Sequence, residues 1–195
     1  MSIRSFVALP IPGKIREHLA WLHESVPHTA GRITWVKPEA IHLTCVFLGD
    51  IEEDQVDTVT SALETAVTGM ESFVTCLDGV GAFPNFRNPR TVWVGYDEGA
   101  SEVMTLKCSV DEALKPLGFE PEKRTFYPHV TLGRVKQRGN PKELEKAAAS
   151  WVLPFENWIT RNMILFQSEL TKHGPIYTPL ARIPMSDPGS SVERR

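Results

Sequence analysis

The apolar segments of this chain are short, and that limits its architecture more than any other feature. R-S-F-V-A-L at 4–9, I-H-L-T-C-V-F-L-G at 41–49, T-V-W-V-G at 91–95 and V-T-L-G at 130–133 each have strand length. None approaches the roughly 18 to 20 residues that cross a bilayer as a helix. Between these runs, apolar residues recur at helical spacing: Ile15, Leu19, Leu22 and Val26; then Val56, Val59, Leu63 and Val67; then Val103, Leu106, Val110, Ala113 and Leu117. Asp50 with Glu53 resembles a capping box ahead of the second helix, Gly118 suits the C-cap of the third, and Asn140–Pro141 opens a fourth running to about 150. Further strands are expected over 33–36, 72–77, 126–135, 155–158, 162–170 and 177–183. A loop is expected over 79–89, where Gly, Pro and Asn cluster.

Strands and helices alternate without a GxGxxG turn or a regular βαβ rhythm, and several strands are sequence neighbours. The expected fold class is therefore α+β, with mainly antiparallel sheets and helices on the outer faces. A chain of 195 residues accommodates one domain or two lobes sharing a core. The expectation is a single bilobal domain over 1–185 and a frayed polar tail over 186–195. A weak internal repeat runs through it: strand, helix, histidine-bearing strand, glycine, helix, once around 41–49 and again around 128–133.

Three cysteines, Cys45, Cys76 and Cys108, lie about thirty residues apart, with no metal or redox spacing. They read as small buried hydrophobes in a reducing compartment. Residues 1–14 lack a basic head followed by an apolar core, so no secretory leader is expected and the cytoplasm is the expected location. The net charge of −3 leaves no global footprint for wrapping duplex nucleic acid. The charge is nevertheless uneven. Residues 50–78 hold eight acids and no Lys or Arg, whereas 123–142 hold six bases and no Asp or Glu. The acidic run suits a solvated helix face; the basic run leaves room for a local anionic ligand.

That basic run surrounds one of two matching motifs. His42 is followed at i+2 by Thr44, and His129 by Thr131. On a strand these positions share a face, so each motif presents an imidazole beside a hydroxyl within an otherwise apolar run. On the spacing alone, two hydrogen-bonded core histidines account for the pattern as well as a site does. As a site, two imidazoles across a cleft would supply an acid and a base near neutral pH, and the hydroxyls could donate to oxyanions. No carboxylates accompany either motif, so no metal and no cofactor is expected. A strained cyclic phosphodiester suits such groups, with the imidazoles approaching from opposite sides of an in-line displacement.

At these residues the chain resembles the 2H phosphoesterases, named for two H-x-T/S motifs, and among them the LigT-like RNA 2′,3′-cyclic phosphodiesterases. The likeness runs from about 4 to 183: R-S-F-V-A-L-P at 4–10, H-L-T-C-V-F-L-G-D at 42–50, P-H-V-T-L-G-R at 128–134, L-F-Q-S-E-L at 165–170 and G-P-I-Y-T-P-L at 174–180. It implies a bilobal, pseudo-two-fold fold, with one motif strand in each lobe facing an open cleft. It also implies metal-independent hydrolysis of an RNA 2′,3′-cyclic phosphate end to a 2′-phosphate. By position, His129 would activate water, His42 would protonate the leaving 3′-oxygen, and Thr44 and Thr131 would hold phosphoryl oxygens. Arg134 would bind phosphate, although simple alternation turns residue 134 away from 129 and 131 unless a bulge near Gly133 intervenes.

Tyr127, Phe126 and Trp35 are candidates for stacking on a base. Phe47 is counted to the core because its parity opposes that of His42. The expected partner is RNA with a cyclic phosphate terminus, such as tRNA fragments or other short RNA. A monomer and no membrane association are expected. The same groups would also serve an RNA-end binding module without turnover, a related enzyme acting on 2′-5′-linked oligonucleotides or ADP-ribose cyclic phosphate, or the reverse, 2′-5′ joining.

Overall fold

A computed structural model describes residues 2–153, 156–172 and 174–189. In chain order the elements are β1 (Ser2–Pro10), α1 (Gly13–Trp21), β2 (Gly31–Trp35), β3 (His42–Glu52), α2 (Val56–Ala66), β4 (Phe73–Thr75), β5 (Leu77–Phe83), β6 (Thr91–Tyr96), α3 (Ala100–Leu114), β7 (His129–Arg138), α4 (Pro141–Ala149), β8 (Trp158–Thr160), β9 (Asn162–Thr171) and β10 (Gly174–Pro184). The strands form two four-stranded antiparallel sheets, ordered β10-β9-β1-β3 and β2-β7-β6-β5, with β4 and β8 as a separate pair. The fold is the expected α+β arrangement. No helix among the described residues is long and apolar enough to cross a membrane.

The internal repeat has a structural counterpart. In one half β1 leads through α1 to β3 and then α2; in the other β6 leads through α3 to β7 and then α4. In both halves the histidine strand pairs antiparallel with the strand that opened the unit. The halves also exchange strands: β2 joins the second sheet, and β9 and β10 join the first. One continuous core lies behind both sheets. Val7, Leu9 and Leu43 of the first sheet pack into the same cluster as Val94, Val130 and Leu132 of the second, together with Leu63 of α2 and Leu106 and Val110 of α3.

Several local expectations change. The first helix stops at Trp21 and continues as a 3-10 turn over Leu22–Ser25. Strand β3 outruns its expected end at 48 and reaches Glu52, so the capping box is Glu52 with Gln55, not Asp50 with Glu53; the Glu52 amide donates to Gln55 Oε1 at 2.9 Å. The expected 79–89 loop is half strand. Gly79 has φ +72° at a register shift in β5, while Gly81 lies within the ladder opposite Trp93. The second motif strand starts at His129 rather than at 126.

The chain expected to fray from 186 is held there: the Ser186 amide donates to Met70 O at 3.0 Å and its carbonyl accepts from the Ser72 amide at 2.8 Å. The rest of that expected tail, from 190, lies outside the described residues, as does part of the expected 155–158 strand; the observed strand is β8. Of the cysteines only Cys45 is buried, with its thiol pushed up to about 12 by desolvation; Cys76 is half-buried and Cys108 exposed.

Candidate active site

Both His-x-Thr pairs lie on strands, and both strands carry the same irregularity. Thr44 pairs with Ala8 and Val46 with Val7, so Cys45 is an extra residue. Thr131 pairs with Trp93 and Gly133 with Val92, so Leu132 is an extra residue. Each bulge falls three residues after its histidine. Beyond a bulge the inside-outside alternation is inverted. The fifth residue after each histidine is therefore returned to the histidine's own face. In the second motif that residue is Arg134, and the parity conflict noted in the sequence is removed.

In the first motif it is Phe47, whose assignment to the core is corrected: it is 61% exposed and lies 6.2 Å, centroid to centroid, from Phe6, its cross-strand partner. The period-2 count failed because it assumed an unbroken ladder.

The two imidazoles are held alike. His42 Nδ1–H donates to Ala40 O at 2.8 Å and His129 Nδ1–H donates to Tyr127 O at 2.6 Å. A carbonyl can only accept, so each ring is fixed with its proton on Nδ1 and a lone pair on Nε2. His42 Nε2 receives the Thr44 hydroxyl at 2.9 Å. Aromatic rings floor both sites. Phe6 stacks on His42 at 4.9 Å and also contacts Phe166, and Tyr177 meets the His42 ring edge-on at 5.2 Å. On the second sheet Phe83 meets His129 edge-on at 4.9 Å and Trp93 lies 6.1 Å away.

This apolar flooring sets the protonation state. Burial lowers the pKa of His42 to about 4, opposed by the hydrogen bond to Ala40. Burial also lowers that of His129, opposed by the Tyr127 carbonyl and assisted by the positive charge of Arg134. Both rings are thus neutral near pH 7 when nothing is bound. Arg134 of the second sheet acts on Tyr177 of the first as well. Burial raises the pKa of the Tyr177 hydroxyl, and the Arg134 guanidinium pulls it back down. One cation from the second sheet therefore acts electrostatically on His129 and also on the tyrosine that touches His42.

The other candidates divide. Tyr127 is half exposed, its ring 5.0 Å from that of Trp93, and remains on offer to a ligand. Phe126 packs on the core and lies under the Lys107 ammonium, which also pairs with Asp111. Trp35 pairs with Gly133 on the reverse side of β7, against His23 at 5.4 Å and Trp151 at 6.2 Å. Neither Phe126 nor Trp35 joins the histidines. His173 lies outside the described residues.

Phe6, Phe83, Trp93, Phe166 and Tyr177 were not found from the sequence, because their relation to the histidines runs across strands. The one available signal was Gly81, opposite Trp93 on β5, and Gly95, two residues beyond it along β6. A Cβ at Gly81 would fall 2.1 Å from the indole. Gly81→Ala is accordingly expected to displace Trp93, cost about 1 to 3 kcal/mol, and lower turnover through Thr131, which Trp93 opposes. Denaturant midpoints and initial rates check this; an unchanged midpoint would show that the indole has room to yield.

Known proteins share both the sequence pattern and the fold. The LigT-like phosphoesterase family profile matches residues 9–93 and 94–177, one motif in each stretch. The RNA 2′,3′-cyclic phosphodiesterase of Aeropyrum pernix is 36% identical over 172 residues, covering 88% of this chain and 97% of its own. That of Methanothermobacter thermautotrophicus is 32% identical over 181 residues, covering 92% and 97%. Among solved structures, a Thermus thermophilus protein superposes with TM-score 0.75 at 27% identity, covering 95% of this chain and all of that one. The fold is shared with E. coli LigT complexed with 3′-AMP, at TM-score 0.73 and 23% identity, covering 96% and 100%.

Proposed function

The chain belongs to the LigT-like phosphoesterases, and from that membership we propose that it hydrolyses the 2′,3′-cyclic phosphate at an RNA end to a 2′-phosphate. The observation that carries the reading is the matched pair of imidazoles, each locked by its Nδ1–H with Nε2 left to handle a proton. The relatives at 30% identity or more carry that activity in their names.

Water attacks phosphorus in line with the P–O3′ bond. His129 takes a proton from the water at Nε2 as the new P–O bond forms. The P–O3′ bond breaks, and O3′ receives a proton from His42 Nε2. The products are a 2′-phosphate and a free 3′-hydroxyl, and the two rings have exchanged protonation states. His129 suits the first role because none of the described side chains occupies its Nε2, whereas that of His42 is engaged by Thr44. His42 enters the reaction protonated only after the substrate's negative charge has raised its depressed pKa. Thr44, Thr131 and Arg134 would bind the non-bridging oxygens, where charge builds up.

Among the described residues no three His, Cys, Asp or Glu side chains converge as a metal-binding set. The decisive assay is turnover of nucleoside 2′,3′-cyclic phosphates in excess EDTA, with the product position read by NMR. Undiminished formation of the 2′-phosphate is expected. Activity that vanishes on chelation and returns with added metal would overturn the acid–base account. Binding without product would make the chain an RNA-end reader.

A further inference from the structure

Beyond the histidines, the second sheet continues into a cavity of about 510 Å³ lined by Arg90, Thr91, Arg134, Lys136 and Arg138 together with Pro89 and Val135. No acid lines it. All four cations are exposed, and among the described residues none has a carboxylate within ion-pair distance. Like charges so gathered repel one another in the empty protein, a cost that an anion would relieve.

The cavity is tied to the candidate site by register. Thr91 pairs with Arg134 on one side and with Phe83 on the other, and Phe83 touches His129. Four ladder steps separate Arg134 from His129, or roughly 13 Å at about 3.3 Å per step. Its walls are fixed by backbone hydrogen bonds: the Arg90 amide donates to Phe83 O at 2.7 Å, and the Val135 amide donates to Arg90 O at 2.9 Å.

We propose that this cavity is a second phosphate subsite, which takes the phosphate on the 5′ side of the reacting nucleotide. The inference rests on the reading above and adds the direction in which the chain of a longer substrate leaves the site. A substrate whose 3′ end is closed into the ring can extend only from its 5′-oxygen. With its cyclic phosphate between the histidines and its chain running along β7, the 5′-side phosphate is carried towards Arg134 and the cavity behind it. Arg90, Lys136 and Arg138 form that subsite, and Arg134 stands between it and the reacting phosphorus. The protein therefore prefers an oligonucleotide end to a free mononucleotide.

The test compares three substrates with the same terminal base: the nucleoside 2′,3′-cyclic phosphate, its 5′-phosphorylated form, and a tetranucleotide ending in the cyclic phosphate. The combined variant R90Q/K136Q/R138Q is measured beside the unaltered protein. The unaltered protein should favour the tetranucleotide in kcat/KM by roughly tenfold, as a charge-assisted hydrogen bond provides. The variant should lose that preference and turn over the mononucleotide as before. Equal preference in the two proteins would overturn the subsite.

A gain confined to the 5′-phosphorylated mononucleotide would support the subsite and assign it to a terminal phosphate; a gain confined to the tetranucleotide would support it and assign it to the diester backbone. Anisotropy of a labelled oligonucleotide bearing a 2′-phosphate needs no turnover. Its log–log salt slope should be shallower in the variant by about 0.7 for each phosphate that is no longer neutralised. Loss of oligonucleotide binding in a protein that turns over nothing would sink the hydrolytic reading and leave the subsite standing. Mononucleotide turnover with identical salt slopes in both proteins would do the reverse.

Discussion

Replacing His129 by alanine is expected to lower kcat/KM for a nucleoside 2′,3′-cyclic phosphate by about 10²- to 10⁴-fold, the range in which a positioned acid or base contributes. Affinity for the 2′-phosphate product should change little, because Thr131 and Arg134 remain. His42→Ala should do the same to turnover, and the double variant should lose far less than the product of the two factors, as expected of two rings proposed to work as one relay.

The pH profiles separate the two states of the protein. kcat/KM reports the free protein, in which burial holds His42 near 4 and His129 below its ordinary range. Its maximum should lie on the acidic side of 6.5, the ordinary imidazole value. kcat reports the complex, in which the bound anion favours the imidazolium, so its maximum should lie at higher pH. Profiles that coincide would mean that substrate charge does not reach His42. Full activity in either alanine variant would remove the histidines from the chemistry.

The second large effect is on stability. The unfolded chain protonates His42 near 6.5, whereas the folded chain resists until about 4. Between those values the unfolded state binds the extra proton, so stability falls as pH falls through that window and levels off below it. The displacement corresponds to about 3 kcal/mol as an upper figure, a large share of the roughly 5 to 15 kcal/mol that holds a typical domain. His129 adds in the same direction. Urea unfolding at about pH 7 and about pH 4.5 should show the loss in the unaltered protein and much less of it in His42→Gln. Product should protect more strongly at the lower pH, because a phosphate binds best where the imidazolium is wanted. An equal acid loss in His42→Gln would place the titrating group elsewhere.

Much of this was legible in the sequence where one strand or one helix carried the information. The His-x-Thr pairs needed only a period of two over three residues, and the helix at 103–117 needed only its apolar spacing. Sequence patterns misled where a second strand decides. Simple alternation turns Phe47 inward, because a bulge at Cys45 is invisible in one strand alone; it exists only against Val7. Gly81 looked like loop material, whereas its missing side chain is the space that Trp93 fills. Phe6 and Tyr177 come from opposite ends of the chain, and only the order β10-β9-β1-β3 brings them to His42. Trp35 stands near the first motif in sequence, but it is carried to the reverse of the other sheet.

The paired bulges have a consequence for how a ligand must enter. A two-fold frame with identical halves would accept a nucleotide equally well in either of two orientations. Here the duplicated kink delivers the same backbone slot on both sides, but one slot holds a flat apolar ring, Phe47, and the other a guanidinium, Arg134. A nucleotide is itself lopsided, with a base at one end and charge at the other. The difference between Phe47 and Arg134 thus makes the two motif strands unequal partners for such a ligand.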